Sequence, residues 1–420
     1  MRRVVITGWG LVSPLGNSLG SALASAAEGR SGIRSCERFL WGEFGAEIAC
    51  RVAGTIEGLD PTPYVPSGHA DAYDPAIVYA LAAADEALGD AALAPFLDAN
   101  PAARDRVGVV IGSAGPGCVS YHRALHQAFV ERAAHRLPGS LSLQMSGNMP
   151  PSLVALRHQL RGPNFGIVNA CASGATALAT ATEMIRAGSA DAVIGGGTES
   201  CIGLTLLGSM GNVGAINPTS DPHRASRPFC ADRAGLIMAE GAGLMVLEER
   251  EQALARGARI HGEVLGISRT NDAHHVYNPD PTGALWGRAI ELALRDARIA
   301  PDEVGAISAH AASTQRGDLA ETLAIKRVLG AHAYRVPVSA TKSMHGHAYG
   351  AAGAIESILS LAAMGLGWVP PTAHLSEPDP DCDLDYVPNV SRKTDAEILL
   401  KNSFGFGGTN SCLVFRCARG

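Results

Sequence analysis

Lysine is nearly missing from this chain of 420 residues. Of its 34 basic residues only Lys326, Lys342, Lys393 and Lys401 are lysine, and the rest are arginine. The arginines form no stripe, the formal net charge is −6 and the pI is near 6.2, which excludes a nucleic-acid footprint. Long apolar runs are missing too. No stretch approaches the roughly 20 apolar residues of a membrane helix. At the amino end the run from Val4 to Thr7 before Gly8 is only four residues, where a signal peptide needs an apolar core of about 7–15 residues. The expected location is therefore cytoplasmic. Nine scattered cysteines, an odd number with no Cys-x-x-Cys pair, read as free thiols and not as a disulfide framework.

Small residues are plentiful. Glycine occurs 49 times, hydrophobic residues make up 46%, charged residues 18% and aromatics 5%, an ordinary globular composition that excludes disorder, collagen and coiled coil. The length fits two or three domains or one large α/β body. Short β-rich runs alternate with alanine-rich helical stretches, the pattern of a sheet covered by helices. Strands are predicted at Arg3–Thr7, Val107–Ile111, Gly166–Asn169, Ala192–Gly195, Gly243–Glu248, Gly262–Ile267, Gly305–Ser308, Pro337–Ser339, Glu397–Asn402 and Ser411–Arg416. Helices are predicted at Pro75–Leu88, Ser173–Ala187, Trp286–Ala297, Leu319–Leu329 and Ala351–Leu361. Glu57–Asp71, with three prolines and no periodicity, reads as a surface excursion. Phe165–Ile185 and Val336–Ala363 both run strand, polar or reactive turn, then small-residue helix. That echo predicts a duplicated body with halves 1–250 and 251–420.

Asn169-Ala-Cys171-Ala-Ser-Gly174-Ala delivers a cysteine from an apolar strand to a turn of tiny residues, and a helix follows at once. Unpaired N–H groups at a helix start favour a thiolate, so the Cys171 pKa is expected to fall toward neutrality. Its own N–H can help to hold an oxyanion. The competing reading of any one cysteine is a buried structural thiol, and the other eight keep it. Two further strand ends carry proton-handling groups: Ser308-Ala-His310-Ala-Ala-Ser-Thr314, and Lys342-Ser-Met-His345-Gly-His347-Ala-Tyr-Gly350. Sites in α/β sheets collect at strand ends. His345 and His347 could form a metal pair, although a closed site needs three or four ligands. His274, His275 and His374 read as ordinary surface or core histidines. Asn402-Ser-Phe404-Gly-Phe406-Gly-Gly408-Thr-Asn410 suits a sharply bent loop that presents backbone N–H groups. No Gly-Lys-Ser/Thr follows it, so a Walker loop is out. Gly8-x-Gly10 lacks the third glycine of a dinucleotide fingerprint, and Gly195–Gly197 reads as a tight turn after a strand.

Taken together, the segments Asn169–Ala175, His310–Asp318, Lys342–Gly353 and Asn402–Asn410 resemble, in order, the motifs of β-ketoacyl-acyl carrier protein synthases. Ala225–Phe229, Arg233 and Glu240–Gly243 also follow that family's pattern. The resemblance runs from Val4 to Val414, and the Cys–His–His set is similar to that of elongating ketosynthases of fatty-acid and type II polyketide systems. It implies a thiolase fold, a five-layered αβαβα sandwich of two similar halves, usually dimeric. It implies a decarboxylative Claisen condensation with no metal and no cofactor of its own, the acyl groups being carried on the phosphopantetheine of acyl carrier protein. By the resemblance Cys171 is the nucleophile, His310 and His347 stabilise the enolate, and Lys342 supports them while pairing with Glu356. Cys171 and Phe406 N–H groups form the oxyanion hole, Phe404 and Phe406 gate the acyl entrance, and Thr314, Gly405 and Gly407 contact substrate.

The chain departs from the family where Ala311 and Ala312 stand in the usual His-Gly-Thr-Ser-Thr, and where Cys230 replaces an aspartate. No Lys or Arg occurs from Gly54 to Ile77, where primary-metabolism members often carry a basic docking patch; this points to a dedicated carrier protein or to docking through another subunit. Gly112–Gly117 lacks the bulky aliphatic that often limits chain length, which points to a long, conjugated or shared pocket. The expected partners are acyl carrier protein and either a second copy or a chain-length-factor-like subunit. The alternative is a non-elongating acyltransferase on the same scaffold. A silent partner subunit lacks the nucleophile, and a degradative thiolase needs a second cysteine that the 404–410 loop does not contain.

Overall fold

The computed structural model describes residues 2–40, 42–66 and 72–418; the tail of the proline-rich excursion, 67–71, lies outside them. Ten strands carry the architecture: β1 (Val4–Val12), β2 (Val107–Gly112), β3 (Asn164–Ile167), β4 (Ala192–Glu199), β5 (Gly241–Glu249), β6 (Gly262–Asn271), β7 (Ala306–Ser308), β8 (Val338–Ser339), β9 (Ile398–Gly405) and β10 (Thr409–Cys417). They hydrogen-bond in the order β8-β7-β9-β10-β6-β1-β5-β4-β2-β3. Each run of five repeats one plan. The third strand pairs in parallel with the second, the second in parallel with the fourth, and the fourth, fifth and first pair antiparallel. The two runs meet through β1 and β6, with Val4 opposite Val264.

Six helices complete the layers: α1 (Pro75–Asp90), α2 (Met149–His158), α3 (Ser173–Arg186), α4 (Ala284–Ala297), α5 (Gln315–Leu329) and α6 (Tyr349–Gly365). Helices α1 and α2 cover the first five strands from outside, while α4, backed by α5, covers β6 and β10. Between them lie α3 and α6, which touch strands of both halves and each other. This is the five-layered αβαβα sandwich. Strands covered on both faces have no reason to alternate, and β1, β4 and β5 are buried along their whole length.

Close approach of helix to sheet decides where glycine goes. A Cβ on Gly10 of β1 would lie 2.0 Å from the Ala83 carbonyl of α1, and one on Gly8 would lie 2.2 Å from that of Ala87. The Gly8-x-Gly10 pair is thus packing and not part of a phosphate loop. Gly195–Gly197, predicted as a turn, lies inside β4, and this corrects the sequence reading. A Cβ on Gly197 would meet the Gly350 carbonyl at 2.6 Å and the Gly174 Cα at 3.0 Å, so these glycines let the starts of α3 and α6 converge. Strand β9 runs on to Gly405, past the predicted end at Asn402, because its polar residues Lys401, Asn402 and Ser403 are buried. Helix α2 has no counterpart among the predicted helices. Its first turn holds Pro150 and Pro151, which read as a breaker yet suit a helix start, where no N–H partner is needed.

Replacing Gly197 by alanine should destabilise the fold by about 1–3 kcal/mol through overpacking. Gly89→Ala, near the end of α1 with nothing within 4 Å of the added carbon, should stabilise it by up to ~1 kcal/mol. Urea unfolding of the two variants checks the pair; equal effects of either sign would contradict the close-packing argument.

Candidate functional site

Three turns with strained backbone bring the chemistry together. Ala170, just before the cysteine, has φ +46°; Ala311 and Ser313 beyond β7 have +33° and +65°; Tyr349, at the start of α6, has +39°. Such non-glycine conformations cost of order 1–3 kcal/mol each and persist where the surroundings enforce them. At the first turn the Ser173 hydroxyl accepts from the Asn169 N–H (2.8 Å) and donates to the Ala170 carbonyl (2.6 Å). That locks Cys171 at the amino end of α3.

Cys171, His310, His347, Phe404, Gly405 and Phe406 all line one inner cavity of about 70 Å³. Thr314, Gly317, Phe406 and Tyr277 line both it and an outer vestibule of about 570 Å³. The rings of His310 and His347 lie 5.4 Å apart, nearly perpendicular, and Phe404 stands edge-on to His310 at 5.9 Å. The two aromatics expected to gate differ in kind. Phe404 is 2% exposed and stacked on Trp286 at 4.0 Å, a fixed wall. Phe406 is half-buried on the turn after β9, edge-on to Tyr277 at 5.4 Å. Gly405 lines the inner cavity; Gly407 is exposed and lines neither space, its carbonyl accepting from Asn271 (2.9 Å). Thr314 faces both spaces, but its hydroxyl also caps α5 by accepting from Gly317 (3.2 Å).

Burial governs the electrostatics. It pushes the Cys171 thiol up to about 12, against the nearby Lys342 charge and the N–H groups of Phe406 and of Cys171 itself, which favour the thiolate. The expected fall toward neutrality is thus overturned: desolvation outweighs the helix start. Burial, reinforced by Lys342, holds both His310 and His347 well below the usual imidazole range, so both are neutral donors and acceptors at pH 7. Lys342 donates to the His310 carbonyl at 2.5 Å and lies 2.6 Å from Glu356 Oε1, the predicted pair.

Sequence reasoning missed the partner on the other side. Lys401 Nζ lies 2.8 Å from Glu356 Oε2, so one fully buried carboxylate holds two of the chain's four lysines. Burial alone would raise the Glu356 pKa, but the two ammonium groups hold it below the usual range. Glu321 adds a second buried carboxylate, accepting from the N–H groups of His310 (2.8 Å) and Ala311 (2.7 Å) and from Asn402 (2.9 Å). Glu199, at the end of β4, accepts from Ala114, Gly115, Ser113 and Gly350, and burial lifts it to about 7. The family-pattern Arg233 spans the halves, donating to the carbonyls of Thr314 (3.1 Å) and Gln315 (2.7 Å). Cys230, in place of the usual aspartate, donates to the His374 carbonyl at 3.4 Å. His345 turns to Thr341 (3.1 Å), away from the His347 cavity. Among the described residues no group of three or more His, Cys, Asp or Glu could hold a metal ion. The only charged side chain lining the outer vestibule, among the described residues, is Arg316.

Two outcomes follow from these charges. Alkylation of Cys171 by iodoacetamide, followed by peptide mass mapping, should speed up about ten-fold per pH unit from pH 6 to 9, because the thiol lies at about 12; a plateau below pH 8 would contradict the burial effect. Glu356→Gln leaves two buried ammonium groups without their paired carboxylate and should cost about 3–5 kcal/mol. Lys401→Met should cost less, because Glu356 keeps Lys342 at 2.6 Å. Denaturant unfolding ranks the two.

Comparison with known proteins places the chain. Its residues 1–253 match the β-ketoacyl synthase N-terminal domain family and residues 261–376 the corresponding C-terminal domain family. It is 40% identical over 416 residues to a 3-oxoacyl-[acyl-carrier-protein] synthase 2 of Synechocystis, covering 99% of this chain and 98% of that one. The enzyme of the same name from Staphylococcus aureus is 37% identical over 415 residues, with the same coverage. Among solved structures, a β-ketoacyl synthase from Burkholderia phymatum superposes with TM-score 0.90 at 34% identity over the whole of both chains. A type II polyketide ketosynthase, solved with its acyl-carrier protein and bound to a hexaketide, superposes with TM-score 0.88 at 32% identity over 99% of each chain. With its thiolase fold of two like halves and full-length matches of this kind, the chain belongs to the β-ketoacyl synthase family.

Proposed function

We propose that this protein is a β-ketoacyl-[acyl carrier protein] synthase, which elongates acyl chains for fatty-acid or polyketide biosynthesis. The observation that carries the reading is a cysteine at the start of a central helix sharing one cavity with two neutral imidazoles. In the first half-reaction the Cys171 sulfur attacks the thioester of an acyl-carrier protein. The thiol proton leaves with the pantetheine sulfur, and the acyl group stays on Cys171. The N–H groups of Cys171 and Phe406 hold the oxyanion of the tetrahedral intermediate. Because the resting thiol is protonated, a neutral imidazole is needed as transient acceptor, and the low basicity of His310 and His347 keeps them free for it.

In the second half-reaction the malonyl thioester loses CO₂, and the electron pair of the broken C–C bond becomes an enolate. Its oxygen is held by N–H donors of His310 and His347. The enolate carbon attacks the acyl carbonyl, the Cys171 thiolate departs and takes up a proton, and 3-oxoacyl-carrier protein leaves. Lys342, carrying the His310 carbonyl and balanced by Glu356, adds positive charge beside the enolate. The cleaved bond supplies all the electrons, so the chemistry calls for no cofactor beyond the pantetheine of the carrier. The Thr314 and Gly317 face of the vestibule fits that arm.

The chain acts as two halves, 1–250 and 251–420, sharing one site; the repeated strand plan supports this division. A second subunit, a like copy or a chain-length-factor-like chain, covers the sheet edge at β3. Leu156, on the helix α2 that packs on that strand, and Val168, the residue after it, are 74% and 63% exposed. Similar structures include a ketosynthase solved with a chain length factor. The protein works in the cytoplasm. Nine free cysteines fit that compartment, and among the described residues no helix is long and apolar enough to cross a membrane.

Intact-mass measurement tests the reading. Incubation with acyl-carrier protein should give an acyl adduct on Cys171, and malonyl-carrier protein should then discharge it with CO₂ and a product longer by two carbons. His310→Ala and His347→Ala should cut decarboxylation about 10²–10³-fold and acyl transfer less. An adduct indifferent to malonyl-carrier protein would favour a non-elongating acyltransferase, and absence of any adduct would sink both.

A further inference from the structure

Tyr349, beside Cys171 in the same apolar cluster, has a polar group left over. Its ring lies parallel to that of His347 with centroids 4.9 Å apart, it is 5% exposed, and its hydroxyl is buried with no hydrogen-bond partner. It packs in the apolar cluster that holds Cys171, Cys201, Ile202 and Leu207. It lines neither the inner cavity nor the vestibule. The phenol therefore packs beside Cys171 outside both spaces. Its polar neighbours there are engaged: Glu199 accepts four hydrogen bonds, Ser113 donates to Glu199 (3.1 Å), and the Cys118 sulfur leans on the Cys201 carbonyl at 4.0 Å. A buried hydroxyl without a partner is costly, and its backbone is strained at the same residue.

The inference rests on the elongating reading above. The second substrate enters through the vestibule while Cys171 still carries the first acyl group. The acyl chain must then leave the vestibule free, and the apolar cluster that Cys171 shares with the phenol is the surface that receives it. An alkyl chain there leaves the hydroxyl unpaired, whereas a chain with an oxygen at the matching depth accepts its hydrogen bond. We propose that Tyr349 is a specificity-determining residue that favours acyl groups bearing a carbonyl or hydroxyl oxygen over plain alkyl groups of the same length.

The probes are hexanoyl and 3-, 4- and 5-oxohexanoyl thioesters of N-acetylcysteamine, and the readout is the rate at which each forms an adduct on Cys171 by intact mass. Wild-type protein should prefer at least one oxo isomer over hexanoyl by about ten-fold, the size of one neutral buried hydrogen bond. Tyr349→Phe keeps the ring on His347 and removes only the hydroxyl, so the ratio should fall below about two. Tyr349→Leu, read the same way, covers the case in which the phenylalanine variant folds poorly. A wild-type ratio near one for every isomer, as with a phenol satisfied by water alone, overturns the proposal, and so does a preference that survives both substitutions. If no thioester acylates Cys171, the elongating reading itself falls, and the inference with it.

Discussion

One carboxylate in the centre of the molecule, Glu356, holds together what the chain keeps far apart. It sits on α6, and its two oxygens face Lys342, on a one-turn helix after β8, and Lys401, on β9. Lys342 reaches on to the His310 carbonyl beyond β7. Two strand ends and the interior of a third strand in the second half are therefore referenced to one buried charge. Such an arrangement is weak evidence for stability, because desolvating ions costs about as much as pairing them returns. Its value lies in position. A buried ammonium has few places to go, so the backbone that carries His310 is held against the cavity with little freedom.

The same charges explain why the imidazoles stay neutral. Each is fully buried and close to a lysine, and both effects oppose protonation. A neutral imidazole presents one N–H donor and one acceptor, which suits an enolate oxygen on one side and a thiol proton on the other. The burial that drives the Cys171 thiol up to about 12 works against the nucleophile at rest. On the proposed mechanism, burial that protects a carbanion also keeps the thiol protonated, and the thiolate would form only as the thioester arrives.

Much of this was legible in the residues, and the gaps have physical causes. The strand-to-helix turn at Cys171 and the strand ends bearing His310 and Lys342 announce themselves through local pattern, because each pairs a β-rich run with small or reactive residues. The Lys342–Glu356 pair was reached only through the resemblance, since it joins a turn to the next helix. Lys401 stayed hidden: inside the run Ile398–Gly405 a lysine reads as the polar side of a strand, and only the crossing of β9 by α6 makes it an interior ion. Gly195–Gly197 was misread for a similar reason. Three glycines after an apolar run look like a turn until two helices are packed so close that no side chain fits. Tyr349 has no local signal at all, because an unpaired hydroxyl is a property of its surroundings.

Lysine scarcity takes on a different meaning in the folded molecule. Two of the four lysines are spent on Glu356, and Lys326 is tied to Asp383 at 2.8 Å, which leaves Lys393 on a short exposed strand. Positive charge on the surface is therefore arginine, and many of these side chains are committed to neighbouring carboxylates, as Arg157 is to Asp85 and Arg161 to Asp105. A carrier protein approaching the vestibule meets, among the described residues, one charged side chain at its lining, Arg316. A guanidinium fork grips a carboxylate or phosphate in fixed geometry, where a lysine patch offers only a diffuse field. Recognition built on few arginines depends on the shape of the partner more than on its net charge.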